Sequence, residues 1–246
     1  MARLSDHEEH VGSRRLRRSL LLAAILVAGA LCVWWLAVRA DRHMRADLLR
    51  QADLVAKAVN LDRVKALAGT EADLASPDYL RLKDQFVAVR SANPKCRFVY
   101  LMGRKPDGTV FIHVDSEPAD SEDYSPPGDV YEEVSEEYLR AFDAKTALVA
   151  GPVADRWGTW VTSLIPLADP ETGDIVAVLG MDIDARDWKW GVAAQAALPA
   201  GLVLALMIGL VAMLLASGRA SASPKPVLRR LLPTLAGLLM LLVGGA

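Results

Sequence analysis

Two long apolar runs on either side of a more polar middle set the organisation that the sequence predicts. Residues 20–38 are 19 consecutive residues without a charge. About 20 apolar residues cross the ~30 Å core of a bilayer, so this run predicts a transmembrane helix over residues 19–39. A cleaved signal peptide is the alternative, although the run exceeds the usual ~7–15 apolar residues and no small-residue cleavage pattern follows it. Residues 192–217 predict a second span, in which Gln195 is the one strongly polar residue.

A third apolar run, residues 231–246, follows Arg229 and Arg230 and reaches the end of the sequence. As a helix it extends only ~24 Å, which is short for a crossing. We expect either the start of a third span in a longer protein or a short, tilted helix.

The positive charges beside the spans predict the orientation. Four arginines lie in residues 14–18, and four basic residues lie in residues 219–230. Because short cytoplasmic flanks are rich in Lys and Arg, the tail 1–18 and the loop 218–230 are expected to be cytoplasmic. Residues 40–190 are then extracytoplasmic, although Arg39, Arg42 and Arg45 weakly oppose this orientation. The prediction is a multi-pass protein of the inner cell membrane.

The first span is expected to continue as a helix from Ser19 to about Leu67. Apolar residues recur there at alternating steps of four and three, which is typical of a narrow helical stripe. The stripe consists of Leu48, Ala52, Val55 and Val59. Two interpretations remain open: the stripe packs on its own domain, or it forms the seam of a homodimer.

A second helix is predicted to follow Ser76. This residue is a typical N-cap, Pro77 suits the first helical position, and Asp78 places an acid in the first turn. Asn93 ends the helix, because the residue before Pro94 avoids helical angles. Its apolar face is Tyr79, Leu82, Phe86 and Val89.

Apolar and alternating segments then predict five strands. Residues 97–102 and 109–115 flank a turn signal at 106–108 and form a hairpin, and residues 147–152, 157–167 and 175–184 follow. One face of the second strand is expected to hold Val110, Ile112 and Val114, opposite Phe111, His113 and Asp115. In the last strand the expected faces are Ile175, Ala177, Leu179, Met181 and Ile183, opposite Val176, Val178, Gly180, Asp182 and Asp184. Helices first and antiparallel strands later indicate an α+β domain with a central sheet.

An acidic segment interrupts the strands. Residues 115–137 contain ten acidic residues and no Lys or Arg. They predict a long crossover loop and then a helix at about 131–144. A solvated loop is one interpretation, and a divalent-cation site or a surface that meets anionic lipid through cations is the other. The spacing of a calcium loop is absent.

The composition narrows the functional classes. A net charge of −2 and 52% hydrophobic residues do not indicate nucleic acid binding. No GxSxG, HExxH or P-loop motif is present, so the sequence indicates no catalytic site of those classes. Cys32 and Cys96 give neither a disulfide framework nor a zinc spacing, and Cys96 is expected to be a buried thiol. No cofactor and no metal are predicted.

Three segments resemble the extracytoplasmic Cache, or PAS-like, sensor domains of bacterial receptors. They are residues 98–103 (FVYLMG), 155–160 (DRWGTW) and 178–184 (VLGMDID). The resemblance covers about residues 40–190. It implies a long N-terminal helix that leads into a curved antiparallel sheet, whose last strand returns to the membrane. The Arg-x-Trp-Tyr pattern of the amino-acid-binding branch is absent, so no ligand class is predicted.

The resemblance also implies which residues contact the ligand: Asp182, Tyr100, Trp157 and Trp160. Gly180 leaves room beside the sheet on the side of Asp182, and a carboxylate next to such a space is suited to anchor a ligand. The alternative for Asp182 is a structural carboxylate that bonds strand-end amides. The two tryptophans are expected on opposite faces of a regular strand, so that one of them lines the pocket.

Two further polar residues are candidates from their chemistry alone. His113 is either a pH sensor, since its unperturbed pKa is ~6.5, or an ordinary sheet-surface residue. Arg156 either binds a ligand carboxylate through both nitrogens or pairs with the acidic segment. Trp188 and Trp190, just before the second span, predict an anchor at the membrane interface.

The function that these expectations favour is sensing of a small ligand outside the cell and signalling across the lipid bilayer, in a homodimer. The resemblance implies the N-terminal sensor part of a two-component histidine kinase. The sensor of a diguanylate cyclase or a chemoreceptor is an alternative, as is a membrane-anchored protein-interaction domain without a small ligand. No phosphoacceptor histidine segment or ATP lid is found, so any enzymatic output would lie beyond Ala246.

Overall fold

The computed structural model describes the backbone of residues 2–216 and the side chains of residues 16–216. The loop predicted at 218–230 and the apolar run at 231–246 lie outside the described residues. The chain divides into two compact units. One comprises the described parts of Met1–Ala40 and Ala193–Ala246, and the other is Asp41–Val192.

Two helices are long and apolar enough to cross a membrane, by length and composition. They are the Leu16–Ala58 part of α1 (Ala2–Ala58) and α5 (Ala185–Ala216). Leucines that face outward along both helices are half or more exposed, as in Leu20 and Leu198. These helices include residues 19–39 and 192–216, where the two spans are predicted.

The first helix ends earlier than the sequence predicts. It stops at Ala58, and a separate short helix α2 (Leu61–Lys65) follows. The side chain of Asn60 accepts a hydrogen bond from the backbone N–H of Arg63 and so caps α2. One continuous helix to Leu67 is therefore wrong, because an N-cap residue divides it.

The stripe on α1 packs on its own domain. Leu48, Ala52 and Val59 are buried, and Val55 packs against the same core. This is the first of the two interpretations of the stripe, and a homodimer can no longer be argued from it.

The second helix has the predicted limits. Helix α3 (Pro77–Ala92) follows a 3₁₀ turn (Glu71–Ala75), begins after Ser76 and ends at Asn93. Ser76 Oγ accepts a hydrogen bond from the Asp78 N–H. Tyr79, Leu82 and Phe86 are fully buried on the apolar face.

Five strands form one antiparallel sheet in the order β2-β1-β5-β4-β3. The strands are β1 (Phe98–Arg104), β2 (Val110–Asp115), β3 (Leu148–Asp155), β4 (Gly158–Ala168) and β5 (Ile175–Asp184). The fold class is thus α+β with an antiparallel sheet and a long N-terminal helix, as predicted. The last strand of the sequence lies in the centre of the sheet and continues at Ala185 into α5.

Two bulges change the predicted faces. Leu101 pairs with Val114 and Met102 with Ile112, so His113 is an extra residue in β2. The single-face prediction for Val110, Ile112 and Val114 is therefore wrong, and Val114 belongs to the core on the other face. A similar shift near the start of β5 places Ile175 and Val176 on the faces opposite to those expected.

Each face of the sheet has its own core. Helices α1, α2 and α3 cover one face, around Phe86, Leu101 and Leu179. The other face packs against α4 (Glu136–Asp143) and the segment before it, around Tyr138 and Val178. Helix α4 is shorter than the predicted 131–144. Cys96 is a buried free thiol, as expected, and burial raises its pKa to about 12.

Residues 116–130, which we call the covering segment, are not a simple solvated loop. Glu117 is 3% exposed and forms ion pairs with Arg90 and Arg97. Lys83 donates hydrogen bonds to the backbone oxygens of Asp115 and Glu117, at 2.9 and 2.7 Å. The segment is therefore held by partly buried charges to α3 and to Arg97, the residue before β1.

Trp188 is buried in protein, so its side chain is not exposed as an interfacial anchor would be. It is 3% exposed within the unit Asp41–Val192, and its Nε1–H donates to Asp41 Oδ1 over 2.7 Å. Arg45 lies 5.7 Å from the centre of the Trp188 ring and donates to the Gly151 oxygen over 2.9 Å. The predicted interfacial role fits Trp190 alone, which is 71% exposed.

Candidate ligand-binding site

A pocket lies on the face of the sheet that α4 and the covering segment pack against. Its apolar and aromatic walls are Phe98, Tyr100, Met102, Ile112, Tyr131 and Trp157. Four acids and one serine supply its polar lining: Asp115, Asp123, Asp155, Asp182 and Ser125. About 30 Å³ is available to the centres of water molecules, which is room for about two waters. A larger ligand would therefore extend beyond this space or displace part of the lining.

Asp182 lies at the middle of the sheet and is 4% exposed. It pairs with Phe98 on β1 and with Thr162 on β4. The Tyr100 hydroxyl donates to its Oδ1 over 3.2 Å, and the Thr162 hydroxyl also hydrogen-bonds the carboxyl. Burial raises the pKa of Asp182 from 3.8 to about 7, against the effect of these two hydrogen bonds. This carboxyl therefore changes charge near neutral pH.

Tyr100 occupies the space that Gly180 leaves on the sheet. A Cβ at Gly180 would lie 2.3 Å from the ring carbons Cε2 and Cζ of Tyr100. The cleared space predicted beside Gly180 is therefore filled by a side chain of the protein. In this position the Tyr100 hydroxyl lies between the Asp182 carboxyl and the Tyr138 hydroxyl. The two hydroxyl oxygens are 3.4 Å apart. Burial raises the pKa of Tyr100 well above 10.0, so it remains a hydrogen-bond donor.

Asp115 reaches the pocket because of the bulge at His113. The extra residue turns Asp115 to the side of its cross-strand partner Tyr100. Its carboxylate accepts hydrogen bonds from the backbone N–H groups of Glu117 and Ser125, both at 3.1 Å. Burial raises its pKa to about 6, although the Ser125 hydrogen bond and the charge of Lys83 oppose this. Two buried carboxyls with raised pKa values thus share one pocket.

Asp155 organises the turn between β3 and β4. Its Oδ1 accepts hydrogen bonds from the N–H groups of Trp157 and Gly158, at 2.9 and 3.0 Å, and from Trp160 Nε1 at 2.9 Å. Its Oδ2 accepts from the Tyr131 hydroxyl at 3.2 Å. This carboxylate therefore fixes two of the aromatic walls.

The two predicted tryptophans have different positions. Trp157 lines the pocket and stacks on Tyr131, with ring centres 6.0 Å apart. Trp160 packs edge-on against Phe98 in the core and does not line the pocket. Both belong to the same face, because Trp157 precedes the first residue of β4, Gly158. The opposite-face prediction is wrong, but the expectation that one tryptophan lines the pocket agrees with this geometry.

Arg156 is not among the residues that line the pocket. It lies over the Trp157 ring at 4.3 Å, donates to the Val130 oxygen at 2.8 Å, and pairs with Glu133 at 3.5 Å. These contacts correspond to the second interpretation, pairing with the acidic segment.

His113 also lies outside the pocket lining. It is buried beside the edge of Phe111, with ring centres 4.6 Å apart, so the surface interpretation is wrong. Burial lowers its pKa to about 4 although Asp73 raises it. The imidazole is therefore neutral at physiological pH, which does not favour its use as a pH sensor.

Sequence reasoning did not select Asp115, Asp155, Tyr131 or Tyr138 for the site. The Asp155–Gly158 spacing was an available signal, since Asp side chains commonly bond the amides of a following turn. Asp115 had no such signal, because regular alternation placed it with Phe111 and His113. Among the side chains of residues 16–216, no group of three or more His, Cys, Asp or Glu is arranged to hold a metal.

No protein-family model and no curated protein sequence matches the chain. Among solved structures, an extracellular ligand-binding receptor from Desulfohalobium retbaense aligns with 65% of this chain and 26% of its own, at a TM-score of 0.45 and 11% identity. The chain thus spans about a quarter of that receptor.

Two chemoreceptor domains are also similar. The ligand-binding domain of Campylobacter jejuni Tlp3, in complex with L-valine, aligns with 65% of this chain and 67% of its own, at a TM-score of 0.33 and 15% identity. The ligand-binding domain of PctC from Pseudomonas aeruginosa PAO1, in complex with GABA, aligns with 61% of this chain and 68% of its own. The TM-score is 0.33 and the sequence identity is 19%. These neighbours are sensory domains, but similarity at this level assigns neither a family nor a ligand.

Proposed function

We propose that Asp41–Val192 is an extracytoplasmic receptor for a small molecule and that α1 and α5 carry its state across a membrane. The observation that supports this most is the position of Asp182. The carboxyl lies in a pocket, and only Ile183 and Asp184 separate it from Ala185, where the apolar helix α5 begins. No loop intervenes, so a shift of β5 on ligand binding would pass directly into α5.

The start of α5 is also bonded to the rest of the unit. The Trp188 indole donates to Asp41 on α1, and Arg45, one turn further along α1, donates to Asp41 and to the Gly151 oxygen on β3. A ligand that changes the sheet would therefore also act on these hydrogen bonds. Such a change requires a ligand that binds two states of the receptor with different affinity.

The charge of the flanks supports the orientation, with the pocket outside and the basic segments in the cytoplasm. A homodimer within the lipid bilayer of the inner membrane is the assembly we propose. For the output we propose a histidine kinase, on the resemblance of residues 98–103, 155–160 and 178–184. A chemoreceptor or a diguanylate cyclase is the alternative output.

The test is a thermal-shift screen of the unit Asp41–Val192 against organic acids, amines, amino acids and sugars. A ligand at 100 times its dissociation constant should stabilise the unit by ~2.7 kcal/mol, and each kcal/mol raises Tm by about 2–4 °C for this size. The shift should disappear in Asp182→Asn and persist in Asp143→Asn, a matched change on the surface of α4. A unit that melts cooperatively but responds to no compound would contradict the receptor proposal and favour a protein-interaction domain.

A further inference from the structure

The charged side chains that line the pocket are all acidic. Four carboxyl groups line it, and none of its described lining residues is Lys, Arg or His. Arg97 and Arg156 lie over the Phe98 and Trp157 rings, but both already pair with acids of the protein. A bound carboxylate would therefore meet no unpaired cation in the lining, and it would be repelled by the acids. The lining therefore disfavours anionic ligands and gives a zwitterion no partner for its negative end.

Two of the four acids are already satisfied. Asp155 accepts four hydrogen bonds from the protein. Asp123 pairs with Arg97 at 2.6 Å. Asp155 thus has its hydrogen-bonding capacity filled by the protein, and the charge of Asp123 is balanced by an arginine.

Asp115 is partly compensated. It accepts two backbone hydrogen bonds. The positive charges of Lys83 and Arg90 also favour its ionised form. Its negative charge is therefore partly balanced by the protein, and a cationic ligand would stabilise it less than a carboxylate that has no basic neighbours.

Asp182 has no such compensation. Its hydrogen-bond partners are the neutral hydroxyls of Tyr100 and Thr162, and the charged groups that act on it are the acids Asp155 and Asp115. A buried carboxylate without a cationic partner is unfavourable, and a cation brought to it would relieve that penalty. Asp182 is thus the group in this pocket whose charge a ligand can balance.

The walls suit the same ligand chemistry. Phe98, Tyr100, Tyr131 and Trp157 line the pocket, and the negative faces of aromatic rings attract cations. Two such contacts already exist, where Arg97 lies over the Phe98 ring and Arg156 lies over the Trp157 ring. Aromatic walls and one uncompensated carboxylate are the features by which proteins bind amines and quaternary ammonium groups.

We propose that the pocket binds a small organic cation, an amine or alkylammonium without a carboxylate, whose charge pairs with Asp182. This inference rests on the proposed receptor function and names the ligand class of the same site. Because burial favours the protonated form of Asp182, an incoming ammonium group displaces that proton and binding is coupled to proton release.

The groups that face Asp182 set this proton linkage. They are Cys96 just before β1, Tyr100 on β1, Thr162 on β4, Tyr131 before α4, Tyr138 on α4, Asp115 on β2 and Asp155 on β3. The hydroxyls and the thiol keep their protons near neutral pH, since burial raises the pKa of Cys96 and of the three tyrosines. Asp115, with a pKa of about 6, adds proton release in the same direction.

The experiment is calorimetric titration of the full chain in a maltoside detergent, whose headgroup is uncharged. The probes are ethylamine, putrescine and choline, matched with propionate as the anion and alanine as the zwitterion. We expect at least one cation to bind while propionate and alanine do not. Removing the charged partner in Asp182→Asn should weaken binding by about 30-fold or more, whereas the surface variant Asp143→Asn should bind as the wild type does.

The proton gives a second readout. At pH 6, the binding heat should differ between two buffers of different ionisation enthalpy, in the direction of proton release, and this difference should shrink in Asp182→Asn. A structural role of Asp182 alone would not move this signal. Binding of a cation without proton release, or with full affinity in Asp182→Asn, would overturn the inference.

The remaining outcomes separate the two proposals. If propionate or alanine binds at the pocket and the cations do not, the ligand class is wrong while the receptor function stands. If no probe of any charge binds to a folded chain, the cation inference is overturned, and the wider compound screen decides the receptor function separately.

Discussion

Gly180→Ala should destabilise the domain through Tyr100. The added Cβ would lie 2.3 Å from two carbons of the ring and 2.7 Å from its hydroxyl oxygen. Gly180 is not among the glycines with positive φ, so alanine meets no backbone strain. The effect is therefore steric. Overpacking of a core costs about 1–3 kcal/mol, and the more restricted unfolded chain returns only about 0.4–1 kcal/mol.

The clash also threatens a hydrogen bond. To make room, the Tyr100 ring must tilt away from β5, which lengthens its 3.2 Å bond to Asp182. A hydrogen bond to a charged group contributes about 1.5–3 kcal/mol. We therefore expect Gly180→Ala to lower the unfolding free energy by about 1–3 kcal/mol, and the Tm by about 2–4 °C for each kcal/mol.

The assay is urea unfolding of the unit Asp41–Val192 at pH 8, in a double-mutant cycle. In a Tyr100→Ala background the clash is absent, so Gly180→Ala should be neutral or slightly stabilising. In Tyr100→Phe the ring remains and the penalty should persist, which makes this variant the matched control. An equal penalty in the wild type and in Tyr100→Ala would refute the reasoning, because additivity means that the two residues do not interact.

Three other predictions concern single groups. Asp182→Asn should change how the unfolding free energy depends on pH. In the wild type, the raised pKa of Asp182 contributes stability that is complete below about pH 3.8 and is lost as the pH rises to about 7. The unfolding free energy of wild type minus variant should thus fall between those values in urea titrations, and a flat difference would contradict the raised pKa. Ser116→Ala should cost about 1–3 kcal/mol in the same assay, because it leaves the buried Val99 N–H without its 3.0 Å acceptor; full stability would mean that water replaces the hydroxyl. Trp188→Phe should lower stability by about 1.5–3 kcal/mol through loss of the 2.7 Å bond to the Asp41 carboxylate. An Asp41→Asn background should reduce this effect.

Local signals predicted the elements well. Ser76 and Asn93 bound α3 because capping and proline rules act over a few residues. The hairpin and the last three strands follow from alternation and turn residues in the same way. The central part of β5, from Ala177 to Asp182, keeps its expected faces because its pairing with β1 is regular.

The bulge in β2 shows where such reasoning ends. No residue type marks the inserted position of a bulge. His113 could occur in a regular strand as well as in a bulged one. The pattern therefore placed Asp115 on the wrong face. Asp182 and Tyr100 were selected through the family resemblance, and Asp182 also because Gly180 lies on the same side of the strand. The packing of the Tyr100 ring over Gly180 could not be predicted either, because it depends on which strand lies beside β5.

The buried ion pairs of the covering segment should make its attachment insensitive to the salt concentration outside the cell. Dissolved salt screens charges within ~8 Å at physiological ionic strength, but it acts mainly on groups that water reaches. Glu117 is almost wholly shielded from water where it meets Arg90 and Arg97. Exposed ion pairs such as Lys57–Asp53 weaken at high salt concentration. The ion pairs of Glu117 should persist under the same conditions. The position of the covering segment beside the pocket should therefore be insensitive to external salinity.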